Sequence, residues 1–191
     1  MFESMLSKVC QVFGLHSNRQ LTPLVVIDMQ PSFKGAGLAH SNVAELCKIT
    51  EQSNNPIYLV EYEGKGNTYR SISRYSSVRP IIKSTDDGSF EIIRRLVADG
   101  ILSRQVRLCG VNYGACVART ANGLIRNGYD VTIVKWACAN DPGWSTYSKG
   151  DSQFWDAFYG AGQVSAKKLD KHLKFEDGNR EDSTHTIRNI F

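Results

Sequence analysis

The sequence predicts an α/β protein: a three-layer α/β/α sandwich around a mainly parallel sheet of about six strands. Three observations lead there. Short, continuous, largely β-branched runs recur along the chain, and a strand buried on both faces of a parallel sheet reads that way. Between the runs lie stretches whose apolar residues repeat at helical spacing. Gly, Asn and Pro breakers separate the two kinds of segment. Strands alternating with helices of this length build βαβ units, the Rossmann-like plan.

The elements follow in order. Phe2, Met5, Leu6, Val9 and Phe13 predict an amphipathic helix over 2–13, suited to docking on the body or on a neighbouring subunit. Leu24-Val25-Val26-Ile27 is the first strand and ends at Asp28. Val43, Leu46, Cys47 and Ile49 mark a helix over 38–52, stopped by Asn54-Asn55-Pro56. Further strands are expected at Ile57–Val60, Ile81-Ile82, Val106–Cys109 and Val131–Val134, with a last one at Gln163-Val164-Ser165. Helices are expected over 89–98, 115–127 and 148–160, the first two closed by Asp99-Gly100 and Asn127-Gly128. Residues 1–20 thus carry the amphipathic helix and 21–166 the folded domain; 167–191, dense in charge, reads as a surface extension.

Composition narrows the function. The 191 residues suit one domain, and a chain of this size buries enough surface to need no staple. No apolar run approaches the roughly 20 residues of a membrane span, so no membrane partner is expected. The net charge of +4 is spread along the chain rather than clustered, which argues against a nucleic-acid partner. Five cysteines without C-x-x-C or zinc-like spacing suggest reduced thiols, and the N-terminus lacks a secretory pattern. A cytoplasmic protein is expected on both counts.

In an open parallel sheet the ligand crevice lies beyond the carboxyl ends of the strands. Three complementary groups reach that rim: Asp28 after the first strand, Lys83 after Ile81-Ile82, and Cys116 at the start of a helix after Gly110-Val111-Asn112-Tyr113-Gly114-Ala115. A helix N-terminus and a nearby ammonium both favour a thiolate, so the thiol pKa is expected to be lowered. Asp28 can then act as general base, and backbone N–H groups of the turn can hold an oxyanion. Taken singly each signal is weak, since a cysteine at a helix start is more often an inert small hydrophobe.

Together these residues match something specific. Asp28-Met29-Gln30-Pro31-Ser32-Phe33 after a buried strand, Lys83 followed by Phe90, and Gly110-Val111-x-x-x-Ala115-Cys116-Val117 with Thr120-Ala121 resemble the isochorismatase-like cysteine hydrolases. That superfamily includes nicotinamidases and N-carbamoylsarcosine amidases, and the similarity runs from about Leu21 to Ser165. The resemblance implies an Asp28–Lys83–Cys116 catalytic triad and a non-proline cis peptide at Val111–Asn112. It also implies an oxyanion hole from the Asn112 and Cys116 amides. Nicotinamidases carry an Asp-x-His element and a further histidine that bind a metal. The corresponding strand end here, Glu61-Tyr62-Glu63-Gly64-Lys65-Gly66, has no histidine, so neither nicotinamide nor a metal is expected. Isochorismatases proper act on a vinyl ether without a thiol nucleophile, and Cys116 argues against that reaction.

The reading is therefore a cysteine hydrolase that cleaves an amide or related C–N bond of a small molecule through a thioester, with no cofactor. Phe33, Glu61, Tyr69, Phe90, Tyr113 and Trp136 are candidate substrate contacts, Glu61 suiting an amine-bearing substrate. The rival reading is a family member that binds a small molecule or supports assembly with little turnover. A homo-oligomer is expected by analogy with the family.

Overall fold

The computed structural model describes residues 21–142 and 147–178. The expected helix over 2–13 lies outside the described residues, as does 179–191. Six strands form one sheet: β1 (Leu24–Ile27), β2 (Ile57–Tyr62), β3 (Ile81–Lys83), β4 (Gln105–Gly110), β5 (Asp130–Cys138) and β6 (Leu173–Glu176). Their spatial order is β3-β2-β1-β4-β5-β6 and every neighbouring pair is parallel. The chain winds one way from β1 to β3 and the other way from β4 to β6. The reversal leaves a crevice between the carboxyl ends of β1 and β4, where such sheets bind ligands.

The helices are α1 (Lys34–Gln52), α2 (Arg70–Ser73), α3 (Ser89–Ala98), α4 (Ala118–Arg126), α5 (Tyr147–Gly160) and α6 (Ala166–His172). A π-turn, Tyr113–Val117, leads into α4. Period-two alternation of β1 divides the core. Val25 and Ile27 face one apolar layer with Ile92, Leu96, Leu124, Phe154 and Phe158. Leu24 and Val26 face the other, with Val43, Leu46 and Cys47 of α1. Every β1 side chain is buried, which is why the strand reads as an unbroken apolar run. Among the described residues, no helix is long and apolar enough to cross a membrane.

Three expectations change. Residues 162–165 are not a strand: Ser165 is the N-cap of α6, its hydroxyl accepting from the Lys168 N–H. The sixth strand is Leu173–Glu176, paired with β5 from Val131 to Val134, so the opening of the charged 167–191 segment completes the sheet. Its charges hid it. A bidentate ion pair from Arg107 to Glu176 at 2.8 Å ties β6 across to β4. Thirdly, α1 begins at Lys34 rather than near residue 38, because Gly35 and Gly37 in its first turn read as breakers.

Candidate active site

Asp28 is the residue immediately after β1, with φ +52, a left-handed backbone that non-glycine residues seldom adopt. Its amide donates to the Val60 carbonyl, fixing it against β2. The carboxylate is fully buried and lies 2.9 Å from the Lys83 Nζ, itself fully buried. Lys83 belongs to β3, two strands away, and Tyr62 of β2 lies between, its ring 4.4 Å from Nζ. The ammonium also donates to the Thr85 carbonyl at 3.1 Å. Apart from Lys83 and the Cys116 thiol beside it, neither Asp28 oxygen meets a hydrogen-bond donor among the described residues.

Cys116 reaches the same place from β4. Gly110 ends that strand at φ +113, where an added Cβ would lie 2.1 Å from the Ile27 carbonyl oxygen; only glycine lets β4 pass so close to β1. The Val111–Asn112 peptide is cis, and the π-turn then sets Cys116 in a nearly closed position, 4% exposed. The loop after β5 braces this turn. Asn140 Oδ1 accepts from the Gly114 N–H at 2.8 Å, and Asn112 Oδ1 accepts from the Asp141 N–H at 2.6 Å. Asp141 Oδ1 in turn accepts from the Gly35 N–H at 2.6 Å, linking the turn to the start of α1.

The electrostatics differ from the expectation for a helix-start cysteine. Burial pushes the Cys116 thiol up to about 12, with the Asp28 carboxylate adding to burial and Lys83 opposing it. Two features explain the reversal. Cys116 lies inside a π-turn rather than at the open end of a regular helix, and the nearest charge is a carboxylate. Burial likewise raises the Asp28 carboxyl above its ordinary value, outweighing the ion pair with Lys83. The resting site is a neutral thiol beside an elevated carboxyl, and a proton can pass from sulfur to oxygen when an electrophile arrives.

The other candidates divide. Phe33 is half-buried and meets Tyr62 edge-on, with 6.4 Å between ring centroids, so it borders the Lys83 side of the site. Tyr69 is anchored nearby, its N–H donating to the Met29 carbonyl, and its ring packs on His40. Glu61 is turned to another use: its Oε1 accepts from the Thr68 N–H at 2.7 Å and holds the loop after β2. Tyr113 stacks on Phe154 and its hydroxyl donates to Asp151, fastening α5 to the π-turn. Phe90 is 65% exposed beneath Arg94, on the solvent side of α3. Trp136 is engaged at the β6 edge, its indole N–H donating to Glu176. Sequence reasoning missed Asp86, whose Oδ1 lies 3.6 Å from the Cys116 Sγ and whose Oδ2 pairs with Arg119 at 3.0 Å. Arg119 three residues after Cys116 was the available signal, since residues so spaced share a helical face. Among the described residues no three His, Cys, Asp or Glu side chains group to hold a metal ion.

Comparison with known proteins places the fold. No protein-family model matches the chain. A secreted isochorismatase effector, Isc1, of Phytophthora sojae is 27% identical over 128 residues, covering 61% of this chain and 61% of that protein. A putative hydrolase of the isochorismatase family from Chromobacterium violaceum superposes with a TM-score of 0.59 at 15% identity, over 83% of this chain and 90% of that one. The fold is isochorismatase-like. The isochorismatase-like fold is also that of the MAR1 ribonuclease of Caenorhabditis elegans, TM-score 0.59 at 18% identity, over 80% of this chain and 82% of that one. The chain spans about three fifths of the curated relative it matches (61%). An isochorismatase-like fold thus accommodates more than one chemistry, and the reaction has to be argued from the site.

Proposed function

We propose that the chain is a cysteine hydrolase that cleaves an amide or related C–N bond of a small molecule. The observation that carries this reading is the meeting, at the switch point of the sheet, of the Cys116 thiol with a buried carboxylate held by a buried ammonium. A buried ion pair is a poor way to gain stability, and one placed against a thiol in the ligand crevice suits chemistry better than packing.

The steps use these groups alone. As the Cys116 sulfur attacks the carbonyl carbon, its proton passes to Asp28, so no free thiolate is needed beforehand. The elevated Asp28 carboxyl makes this transfer easier than an ordinary carboxylate would. The backbone N–H groups of Asn112 and Cys116 bind the oxyanion of the tetrahedral intermediate. The C–N bond breaks, the leaving amine takes the proton from Asp28, and an acyl thioester remains. Water then adds to the thioester, giving its proton to Asp28; the C–S bond breaks, and the sulfur recovers the proton as the carboxylic acid leaves. Lys83 keeps Asp28 in place and balances its charge throughout.

Ammonia release from a panel of primary amides and carbamoyl compounds tests the reading. Cys116→Ser and Asp28→Asn are each expected to lower kcat by roughly a thousandfold or more on whichever amide the wild type accepts. Equal ammonia release by wild type and Cys116→Ser would overturn it.

A further inference from the structure

Resting on the cysteine-hydrolase reading, we propose that Asp86 and Arg119 form the charge-reading element of the site. In this pair Asp86 receives an N–H donor carried next to the attacked carbonyl and disfavours an anionic group there. The argument starts from exposure. The Asp28 and Lys83 side chains are closed to solvent, whereas the side chain of Asp86 is 36% exposed and that of Arg119 47%. Of the charged groups around the thiol, this pair therefore stands where a substrate enters.

Position comes next. Asp86 Oδ1 lies 3.6 Å from the Cys116 Sγ. Once a carbonyl carbon is bonded to that sulfur, an atom attached to the carbon comes within hydrogen-bond reach of the same oxygen. An N–H there replaces the thiol as donor to Asp86, and a carboxylate there is repelled.

The loop is also built to hold still. The Thr85 carbonyl accepts from Lys83, the Thr85 hydroxyl donates to the Asp87 carbonyl, and the Thr120 hydroxyl donates to the Asp86 carbonyl. Gly88 N–H donates back to Thr120 Oγ1 at 3.0 Å. Asp86 is thus fastened to the catalytic lysine on one side and to α4, which carries Arg119, on the other. A carboxylate fixed in advance discriminates at little entropic cost.

Paired alkylation tests this on the intact protein. Iodoacetamide and iodoacetate attack the same sulfur and differ in charge; labelling of Cys116 is followed by peptide mass mapping. Asp86→Asn should raise the iodoacetate-to-iodoacetamide rate ratio about fivefold, the order expected between half-exposed charges. Arg119→Gln should lower it by a similar factor, and opposite signs cannot come from a general loosening of the fold. In hydrolysis, Asp86→Asn should raise KM for an amide bearing a neighbouring ammonium more than it lowers kcat. An unmoved labelling ratio in both variants, or rates that rise equally for the two reagents, would overturn the proposal. A wild type that shows the charge-ordered labelling but hydrolyses no amide would instead refute the reaction assigned above.

Discussion

Replacing Lys83 by methionine isolates the electrostatic design of the site. The substitution keeps the length of the buried stem and removes the ammonium 2.9 Å from Asp28. Asp28 is left as a wholly buried carboxyl with no cation beside it. Breaking a buried pair in this way costs about 3–5 kcal/mol. Protonation sets a ceiling, because the carboxyl can always take up a proton. From the ordinary carboxyl value of 3.8, protonating it at pH 7 costs about 4 kcal/mol at roughly 1.36 kcal/mol per unit. The sign follows from proton linkage. The variant raises the folded-state pKa of Asp28 further, so the native state holds a proton that the unfolded state releases above 3.8. The destabilisation relative to wild type should therefore grow with pH, by at most about 1.4 kcal/mol per unit, and shrink as the solution is acidified. Urea unfolding of Lys83→Met and wild type at several pH values between about 5 and 8 reads both quantities. A loss below about 1 kcal/mol at neutral pH, or one that does not change with pH, would refute the reasoning.

Two further outcomes follow from particular groups. Cys47, Cys116 and Cys138 are each pushed up to about 12, chiefly by burial, so the folded protein keeps protons that unfolded thiols lose above their ordinary value of 9.0. Stability should fall as pH rises through that window, by roughly 1.4 kcal/mol per thiol at about pH 10; Cys47→Ala should flatten the fall in a denaturant series, and an unchanged slope would contradict it. Gly110→Ala should fail to give soluble protein or lose more than about 4 kcal/mol, since the added carbon would overlap the β1 backbone at a φ that alanine resists; a variant within about 1 kcal/mol of wild type in thermal melts would remove the packing argument.

Much of the architecture was legible because β1 and β2 are buried on both faces and declare themselves as apolar runs, while β4 and β5 keep buried apolar residues among half-buried polar ones. β6 did not. As an edge strand covered on one side it reads Leu-Lys-Phe-Glu, with Lys174 exposed and Glu176 serving the ion pair with Arg107 instead of a core. The site showed the same division. Asp28, Lys83 and Cys116 could be found because strand ends converge on one rim. The aromatic residues could not be sorted, since Tyr113, Trp136 and Phe33 look alike in sequence. One fastens a helix, one braces an edge, and one borders the ammonium. Asp86 escaped because its role comes from the three-dimensional approach of a loop to a helix, to which Thr85 and Thr120 contribute the ties.

The thiol pKa is where sequence logic and geometry part most instructively. Helix-start position and a neighbouring lysine argue for a thiolate, yet burial decides, and the Asp28 carboxylate adds to it while Lys83 is committed to Asp28. A sulfur so placed reacts slowly in its resting state, because the thiolate is the reactive species. In the reaction we propose, the same placement keeps Asp28 in contact with the sulfur, so the proton leaves in the act of attack. Burial raises both partners, the thiol and the carboxyl beside it. The desolvation that raises the thiol thus raises its neighbour as well, and Lys83 opposes it at both.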